Sequence, residues 1–491
     1  MSTVRELFLF STSKFSDNIA VVEDDQRVSY KDLGSMVDSF SSFLNSKGIK
    51  KGDAIIILLP NSIEFVVAFF SISNLGAVSV PVNASFKKDE IAYYINHSSA
   101  KLILTQAQLK PLVDEVSSEN KVPYSIVKGA SSEWNTHYFE ADTIQSIAID
   151  SNDEAIYLYS TGSTGRPKRV SRTHQNLVAL ADNHTQTVGW TEKDKILFAV
   201  PISHTYGFGN FISSIKIGAT IFVLSGFNRT RVLDLLEEES ITIFPAVPVM
   251  LDVLAKTYLS QPRDLSNLKL VISAGAPLAA KTFISFYEKF SVYPRQLYGS
   301  SETGVISINL GDDIKNTFNS VGQHVKNVVV KILDEGGQEL GIDEVGEIVV
   351  KSPSMTTTGY YGLPEETKEV FKDGYYFTGD LGRIDKDGFI YIVGRKKLFI
   401  NISGNKVDPL EVENVLLDHP NVKEVAVLGI TDSDGVESVK AVIVPSEVIQ
   451  KKDILELCRE RIAEFKIPKT IEFRDELPRS PTGKVLREEL K

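Results

Sequence analysis

Two spacings of apolar residues alternate along most of the chain. Short runs rich in β-branched residues, such as Asp53 to Leu59 and Ala155 to Ser160, have the length and composition of buried strands. Longer segments, such as Ser62 to Gly76 and Thr230 to Ile241, carry apolar residues at helical spacing. Because strands that alternate with helices build parallel sheets covered by helices, the pattern predicts an α/β fold.

After about residue 320 the pattern changes to closely spaced strands. Gly-Gly and Asp-Gly pairs, among them Gly336-Gly337 and Asp387-Gly388, separate alternating apolar residues and indicate β-hairpins. A new series of strand, helix and strand then runs to Lys491 and is long enough for an α+β domain. We therefore predict a large N-terminal domain of βα-layered sheets over residues 1–396, with a β-rich subdomain at about 320–396, and a smaller α+β C-terminal domain over 397–491.

Charge and cysteine content narrow the functional classes. The 491 residues carry a formal net charge of -11, which argues against a general affinity for nucleic acids or anionic membranes. The single cysteine, Cys458, excludes an internal disulfide and a cysteine-rich metal site. The N-terminal segment lacks the apolar core of a signal peptide, and the apolar run that ends at Pro60 is too short to cross a bilayer. We expect a cytoplasmic protein without membrane insertion.

A loop rich in glycine, serine and threonine follows the predicted strand that ends at Ser160. Its sequence, TGSTGRPKR, can present backbone amides and hydroxyl groups to an anion, and a helix is predicted to follow with Thr173 as its N-cap. Neither the Walker A spacing nor the GxGxxG spacing of dinucleotide sites occurs in it. Taken alone, the loop fits a phosphate site or a flexible surface turn.

The loop resembles the signature of the acyl-adenylate-forming (ANL) superfamily, which includes acyl- and aryl-CoA ligases, firefly luciferases and the adenylation domains of peptide synthetases. Five further segments match motifs of this family in its order, and together they cover essentially the whole chain: Pro201 to Gly209, Tyr298 to Gly304, Tyr376 to Asp385, Gly394 to Glu413 and Pro478 to Leu490. The resemblance implies that ATP and Mg²⁺ activate a small carboxylic acid to an acyl-adenylate, with release of pyrophosphate. The acyl group then passes to the thiol of CoA or to the phosphopantetheine of a carrier protein.

The resemblance also implies which residues bind ATP. The predicted nucleotide-binding residues are Lys168, Ser160, Thr161, Gly162, Ser163, Thr164, Gly165, Tyr298, Gly299, Thr303, Asp380 and Arg395. Lys168 and the loop are expected to hold the β- and γ-phosphates, and Thr303 the α-phosphate. The ring of Tyr298 is expected to lie against adenine, and Asp380, with Arg395, to bind the ribose hydroxyls. Glu302 is the expected ligand of Mg²⁺, a hard cation that prefers carboxylate oxygen.

Each of these residues also has an ordinary structural explanation. Lys168 could be a solvated surface lysine, and Glu302 could belong to a helix cap that begins at the serines before it. Asp380 could cap a turn. Arg169 stands where the family commonly has glycine, and we consider a phosphate or carrier contact for it.

Two half-reactions are expected to share one site through rotation of the mobile C-terminal domain. By resemblance, Lys484 inserts between the carboxylate and the α-phosphate during adenylation, and Lys397 is the hinge. Gly404 and Lys406 are expected on the face that admits the thiol, although Asn401 and Lys406 depart from the residues common in coumarate-CoA ligases.

The acid is expected to lack an α-amino group. Relatives that activate amino acids usually carry an aspartate in the segment that corresponds to residues 199–209, and none occurs here. We predict an aryl acid or a short- to medium-chain acyl acid, in a pocket whose residues are His204, Tyr206, Phe208, Ala274 and Gly275. His204 is expected to orient the carboxylate at the pocket entrance, and a buried core histidine is the alternative.

Several functional alternatives stay open at this point. The chain lacks the insertion typical of fatty acyl-AMP ligases, so CoA is the favoured acceptor and a carrier protein the second. A luciferase-like oxygenase shares these motifs, and a non-catalytic nucleotide-binding relative is conceivable although Lys484, Glu302 and Asp380 are all retained. We expect a monomer or a homodimer.

Overall fold

The computed structural model describes residues 1–129, 132–134, 147–161, 167–259, 261–396, 400–402, 405–431, 437–479 and 485–491. It forms two compact units. The larger unit comprises Met1–Val329 and Val350–Tyr376, and the smaller unit comprises Val330–Val349 and Phe377–Lys491. The two units are described separately below.

The larger unit alternates helices with strands, as the apolar spacing predicts. Its helices are α1 (Val4–Lys14), α2 (Tyr30–Ser46), α3 (Ile63–Asn74), α4 (Lys88–Ser98), α5 (Lys110–Asn120), α6 (His174–Val188), α7 (Thr205–Ile217), α8 (Arg229–Glu238), α9 (Pro248–Lys256), α10 (Ala280–Phe290), α11 (Ile314–Thr317) and α12 (Pro364–Val370). Its first fifteen strands are β1 (Ile19–Glu23), β2 (Gln26–Ser29), β3 (Ala54–Leu58), β4 (Val78–Pro81), β5 (Leu102–Gln106), β6 (Tyr124–Lys128), β7 (Glu154–Thr161), β8 (Pro167–Thr173), β9 (Lys195–Phe198), β10 (Thr220–Val223), β11 (Ile243–Ala246), β12 (Leu270–Ser273), β13 (Pro294–Ser300), β14 (Gly304–Ile308) and β15 (Gln323–His324).

Strands β1 to β15 form a six-stranded and a nine-stranded sheet in the larger unit. The six-stranded sheet has the order β6-β5-β3-β4-β7-β8, and only its β7–β8 pair is antiparallel. The nine-stranded sheet has the order β15-β14-β13-β12-β11-β9-β10-β1-β2, with a parallel centre and antiparallel pairs at both edges. Strand β3 is buried along its whole length, which explains why its sequence is continuously apolar.

One local prediction around the phosphate loop is wrong. The sequence suggested a strand, a loop and then a helix, whereas the structure has an antiparallel hairpin of β7 and β8 before helix α6 begins. The predicted N-cap is confirmed. The Thr173 hydroxyl accepts a hydrogen bond from the backbone amide of Asn176 at 3.2 Å. In return, the side-chain oxygen of Asn176 accepts one from the backbone amide of Thr173 at 3.1 Å.

An aromatic core joins helices α3 and α7 in the larger unit. The ring of Phe208 lies 5.0 Å from that of Phe69 and 5.9 Å from that of Phe211, and all three side chains are fully buried. These contacts are those of a core residue. They give no support to the expectation that Phe208 lines the acid pocket, which stays a prediction.

The smaller unit is rich in β-structure, in agreement with the hairpin signals after residue 320. The other strands that the structure describes are β16 (Val329–Leu333), β17 (Gly346–Lys351), β18 (Phe371–Lys372), β19 (Tyr375–Ile384), β20 (Ile390–Arg395), β21 (Ile400–Ile402), β22 (Asn405–Val407), β23 (Val422–Thr431), β24 (Glu437–Pro445) and β25 (Thr470–Phe473). Of these strands, β18 lies in the residue range of the larger unit. The described helices of the smaller unit are α13 (Pro409–Leu417) and α14 (Lys451–Arg461). Strand β17 lies between β16 and β19, and β20 pairs with β19. Strands β21 and β22 form a hairpin, and β23, β24 and β25 form a three-stranded sheet.

The core of the smaller unit contains the only cysteine of the chain. Cys458 of α14 is fully buried in a cluster that includes Val407, Val412 and Ile443, and burial raises the pKa of its thiol to about 11. Among the described residues, no helix is long and apolar enough to cross a membrane. The α/β class with a smaller second part is confirmed, whereas a domain boundary at residue 397 stays a prediction.

Candidate active site

The phosphate loop leaves β7 at Ser160 and returns into β8 opposite that residue. Ser160 pairs with Lys168 in the hairpin register, so the hairpin fixes the position of the predicted phosphate lysine relative to the start of the loop. The loop residues Gly162, Ser163, Thr164 and Gly165, and the side chain of Thr161, lie outside the described residues.

Lys168 is held against the segment that precedes and includes helix α12. Its side chain is 14% exposed and forms an ion pair with Glu366. Its ammonium nitrogen also lies over the ring of Tyr360, 4.9 Å from the centroid, which is a cation–π contact. Lys168 is therefore a positioned, largely buried cation rather than a solvated surface lysine.

Tyr360 links Lys168 to the predicted metal ligand. The hydroxyl of Tyr360 donates to Oε1 of Glu302 at 2.8 Å, and the backbone amide of Thr356 donates to the carbonyl oxygen of Glu302 at 2.9 Å. Residues from two distant motifs, Lys168 and Glu302, thus both contact one tyrosine. Sequence reasoning missed Tyr360 and Glu366.

Glu302 lies in the turn between β13 and β14. The alternative that these residues cap a helix is wrong, because the chain turns here and continues as strand β14. The Ser300 hydroxyl accepts from the amide of Thr303 at 3.2 Å and lies 3.0 Å from the hydroxyl of Thr303. The Ser354 hydroxyl donates to the carbonyl oxygen of Thr303 at 2.7 Å. These bonds fix the turn that presents both Glu302 and Thr303.

Two glycines make this turn possible. A Cβ atom on Gly299 would lie 2.3 Å from the carbonyl oxygen of Gly304, so only glycine allows the two backbones to approach. Gly304 has a φ of +79°, and its Cβ atom would lie 2.6 Å from a methyl group of Leu180. Tyr298, half-buried, precedes Gly299 at a register shift in the β13–β14 pair. The glycines of the segment Tyr298 to Gly304 therefore shape the turn that carries the candidate ligands Glu302 and Thr303.

The turn fits a magnesium ion. Glu302 is 5% exposed, and among the described residues its hydrogen-bond donor Tyr360 contacts Oε1 only, which leaves Oε2 for a ligand. Within the same residues no group of three or more metal-binding side chains occurs. One carboxylate suits Mg²⁺, which in nucleotide sites is usually bound by one or two carboxylates together with phosphate oxygens and water.

Arg169, which replaces the common glycine, packs inside the larger unit. Its guanidinium carbon lies 3.9 Å from the ring centroid of Tyr157 and 3.4 Å from that of Tyr361, and Nη1 donates to the carbonyl oxygen of His97 at 3.3 Å. The amide of Tyr361 donates to the carbonyl oxygen of Arg169 at 3.1 Å. These contacts occupy the guanidinium, so the considered phosphate or carrier contact finds no support.

His204 is the N-cap residue of helix α7, and the chain reverses just before it. The next residue, Thr205, has its hydroxyl 2.8 Å from that of Ser301, which joins the start of α7 to the turn of Glu302. Burial lowers the pKa of His204 to about 4, so the imidazole is neutral at physiological pH. His204 can therefore act as a neutral hydrogen-bonding group and is poorly suited to be a general base.

Helix α7 also brings three of the predicted pocket residues together. The hydroxyl of Tyr206 donates to the carbonyl oxygen of Ile272 at 2.9 Å, near the carboxyl end of strand β12. Ala274 and Gly275 follow that strand directly, and Gly275 has a φ of +88°. The carboxyl ends of parallel strands are a common place for ligands in α/β proteins.

Asp380 and Arg395 lie opposite each other on β19 and β20 of the smaller unit. Nε of Arg395 donates to Oδ1 of Asp380 at 2.7 Å, and Asp380 is 5% exposed. The Thr378 hydroxyl accepts from the amide of Asp380 at 3.0 Å. The strand register thus brings together the two residues predicted to bind the ribose. The Arg395 contact also orients the carboxylate of Asp380, which a residue that only capped a turn would not require.

The predicted residues of the C-terminal part are only partly described. Lys397, Gly404 and Lys484, and the side chain of Lys406, lie outside the described residues. The two ends of segment 480–484 are described, and they pair through Arg479 and Val485.

A partly buried ion pair anchors the residues that follow Lys484. Arg487 pairs with Glu413 at 2.6 Å and also donates to the carbonyl oxygen of Val427 at 3.2 Å.

Comparisons with known proteins agree with this arrangement. The family model of AMP-binding enzymes matches residues 10–361, and the model of the AMP-binding enzyme C-terminal domain matches residues 411–484. The chain is 32% identical over 475 residues to a 2-succinylbenzoate–CoA ligase of Bacillus licheniformis, with 96% of each protein covered. It is 30% identical over 472 residues to the long-chain-fatty-acid–CoA ligase FadD13 of Mycobacterium tuberculosis, covering 94% of this chain and 92% of that protein.

Among solved structures, the ATP-bound MatB of Rhodopseudomonas palustris superimposes with a TM-score of 0.91 at 28% identity, covering 99% of this chain and 98% of MatB. The motifs, the positioned Lys168 and Glu302 and these matches lead to one conclusion. The chain belongs to the family of AMP-binding enzymes and is an AMP-forming acid–thiol ligase, which uses ATP to convert a carboxylic acid to an acyl-adenylate and transfers the acyl group to CoA.

Proposed function

We propose that the acid is an aryl acid or a short- to medium-chain acyl acid without an α-amino group. The observation that best supports the proposed nucleotide site is that Tyr360 contacts both Lys168 and Glu302. A triphosphate that reacts at its α-phosphorus needs cations and a metal around its oxygens, and this arrangement supplies a lysine and a metal-binding carboxylate in one place.

Each nucleotide-binding residue has a distinct part in this proposal. Lys168 and the loop from Thr161 to Gly165 bind the β- and γ-phosphates, and Glu302 holds Mg²⁺, which neutralises phosphate charge when bound. Lys168 exchanges its ion pair with Glu366 for the phosphates when ATP enters. Thr303 contacts the α-phosphate.

Tyr298, Asp380 and Arg395 are the residues proposed to bind the nucleoside. The ring of Tyr298 lies against adenine, next to the close backbone approach at Gly299. The carboxylate of Asp380 accepts hydrogen bonds from the ribose hydroxyls. Its 2.7 Å hydrogen bond from Arg395 supports this role, because it fixes the carboxylate in one orientation.

The acid enters between helix α7 and the end of β12. We place the acid against Tyr206, Ala274 and Gly275, with His204 at the entrance as a neutral donor to the carboxylate. Phe208 is a further proposed wall residue of this pocket. The absence of an acidic residue in segment 199–209 favours an acid without an ammonium group.

The two half-reactions use different parts of a C-terminal domain over residues 397–491. Lys484 stabilises the acid carboxylate and the α-phosphate during adenylation, and the domain then turns about Lys397. Gly404 and Lys406 face the thiol in the second state. The anchoring of Arg487 by Glu413 supports this division, since it fixes the chain just beyond Lys484.

The remaining partner and location assignments are proposals of the same kind. Besides CoA, a phosphopantetheinyl carrier protein is the alternative acceptor, because it presents the same thiol. The protein works as a monomer or a homodimer. A cytoplasmic location is supported by the single, buried Cys458.

Pyrophosphate exchange tests the acid class without presuming the acceptor. Purified enzyme with MgATP and labelled pyrophosphate is given aryl, short-chain, medium-chain and long-chain acids. We expect exchange with at least one of the first three classes and a loss with Glu302→Gln. Glu365→Gln, exposed on α12, is the matched control and should retain exchange. Exchange with long-chain acids alone would overturn the acid assignment, and exchange with amino acids would overturn the pocket argument.

The acceptor is tested in a second assay. Thioester formation is compared with CoA and with holo-carrier proteins at equal thiol concentration. Faster transfer to a carrier would replace CoA as the physiological acceptor and leave the adenylation proposal intact.

A further inference from the structure

Arg172 is a buried cation without a hydrogen-bond partner among the described residues. It lies on strand β8, four residues after Lys168, and its side chain is 0% exposed. None of its three guanidinium nitrogens, Nε, Nη1 and Nη2, has a partner in the described part of the chain. A buried guanidinium is stable only when an opposite charge or a bound group compensates it, so Arg172 requires an explanation.

The charge that acts on Arg172 is that of Glu302. A Cβ atom placed on Gly304 would lie 3.3 Å from Nη1 and 3.4 Å from Nη2, so the guanidinium packs against the turn that carries Glu302. Burial lowers the pKa of Arg172 to about 10, and the carboxylate of Glu302 acts in the opposite direction. Arg172 is therefore protonated at neutral pH and lies near a carboxylate that it does not hydrogen-bond.

We propose that Arg172 is a positioning residue for Glu302, serving as the counter-charge of this carboxylate in the nucleotide-free site and preventing it from binding Mg²⁺ before ATP arrives. This inference rests on the proposed role of Glu302 as the metal ligand. It adds a charged residue that lies outside the motif segments of this chain given above.

The charges explain why the metal would follow the nucleotide. Glu302 alone would attract free Mg²⁺, but the positive charge of Arg172 opposes that of the carboxylate, and Tyr360 already donates a hydrogen bond to Oε1. ATP adds several negative charges at the phosphate site beside this pair. The net charge around Oε2 then becomes negative, and the ion binds together with the triphosphate.

A simpler explanation is that Arg172 only fills space in the core. Core filling requires the methylene groups and not the charge, so the two explanations separate when the charge alone is changed. Arg172→Met keeps the apolar volume and removes the charge, whereas Arg172→Lys keeps a charge. Arg295→Met is the matched control, because Arg295 is partly buried in the same unit and its charge partner is Asp312.

The test is thermal melting of the full chain without nucleotide, in a series of Mg²⁺ concentrations. In Arg172→Met, Mg²⁺ should raise the melting temperature at a concentration about threefold or more below that needed in wild type. Arg172→Lys and Arg295→Met should behave as wild type. Adding Glu302→Gln to Arg172→Met should abolish the response to Mg²⁺, which would assign the response to this carboxylate.

A single substitution keeps the proposal testable if Arg172→Met does not fold. Glu302→Gln leaves Arg172 without a counter-charge and should lower the metal-free melting temperature by about 2 °C or more. An unchanged melting temperature in Glu302→Gln, or an unchanged Mg²⁺ response in a folded Arg172→Met, would overturn the proposal. Failure of pyrophosphate exchange with every acid would instead contradict the proposed function, while these melting experiments would still decide the role of Arg172.

Discussion

Arg169 offers a direct test of how the base of the phosphate loop is stabilised. The substitution Arg169→Gly restores the residue common in the family and removes the guanidinium that lies between Tyr157 and Tyr361. If the stacked guanidinium only stabilises the base of the phosphate loop, the variant should lose stability and keep its activity in pyrophosphate exchange. Arg169→Lys separates the planar stack from the charge, since an ammonium cannot stack on two rings.

The expected loss of stability follows from the contacts. Two partly desolvated cation–π contacts contribute about 1–2 kcal/mol each. The bond to the carbonyl oxygen of His97 contributes about 1 kcal/mol. Glycine in a strand costs a further ~0.5–1 kcal/mol. Against this, the buried Nε of Arg169 has no partner among the described residues, which costs the folded wild type about 1–2 kcal/mol. We expect a net loss of about 2–4 kcal/mol.

Thermal melting and hydrogen exchange measure this loss. A loss of this size should lower the melting temperature of the larger unit by about 2–5 °C. The amide of Tyr361, which donates to the carbonyl oxygen of Arg169, should exchange faster. Arg169→Lys should lie between wild type and glycine. The reasoning is refuted if Arg169→Gly melts within 1 °C of wild type, or if it loses pyrophosphate exchange without losing stability.

Three further predictions concern the smaller unit and the C-terminal segment. Lys484→Ala should reduce acid-dependent pyrophosphate exchange about 100-fold or more, while thioester formation from preformed acyl-adenylate continues. The control Lys491→Ala should change neither activity. Equal loss in both assays would contradict the proposed role of Lys484 in adenylation alone. Asp380→Asn should raise the KM for ATP about 10- to 100-fold, because a charged hydrogen-bond acceptor for the ribose is lost. Arg395→Lys should raise this KM less. An unchanged KM in Asp380→Asn would show that Asp380 does not bind the nucleotide. Burial raises the pKa of Asp408 from 3.8 to about 6, so the folded state favours the protonated form and loses stability as the pH rises through this window. Asp408→Asn keeps the helix cap and should be about 1–2 kcal/mol more stable than wild type above pH 6, with a difference that closes toward pH 4 in melting experiments; a constant difference would show that Asp408 does not titrate as described.

The fold could be predicted from apolar spacing because each element follows a local rule. Strand β3 is continuously apolar since it is buried in a parallel sheet, and α6 begins at the threonine that the capping rule selects. The β7–β8 hairpin was missed because β8 contains Lys168, Arg169 and Arg172, which do not read as a strand. Their side chains are accommodated by ion pairing, ring stacking and burial that involve residues far away in the sequence.

The proximity of candidate residues was predictable where a single motif or a strand pair sets the geometry. Glu302 and Thr303 lie in a turn shaped by Gly299 and Gly304, and Asp380 meets Arg395 through strand register. The contacts across motifs were not predictable from one sequence. Nothing near Lys168 in the chain indicates Tyr360 or Glu366, because their proximity depends on how segment 350–376 packs in the larger unit.

The burial of Cys458 makes the wild-type chain suitable for measuring the proposed domain rotation. Maleimide dyes react with exposed thiolates, and this thiol is enclosed in the core and has a raised pKa. Cysteines introduced at exposed positions of the two units could therefore be labelled selectively without first removing the native one. Energy transfer between such dyes would then follow the conformational cycle in an enzyme that differs from wild type only at the labelled positions.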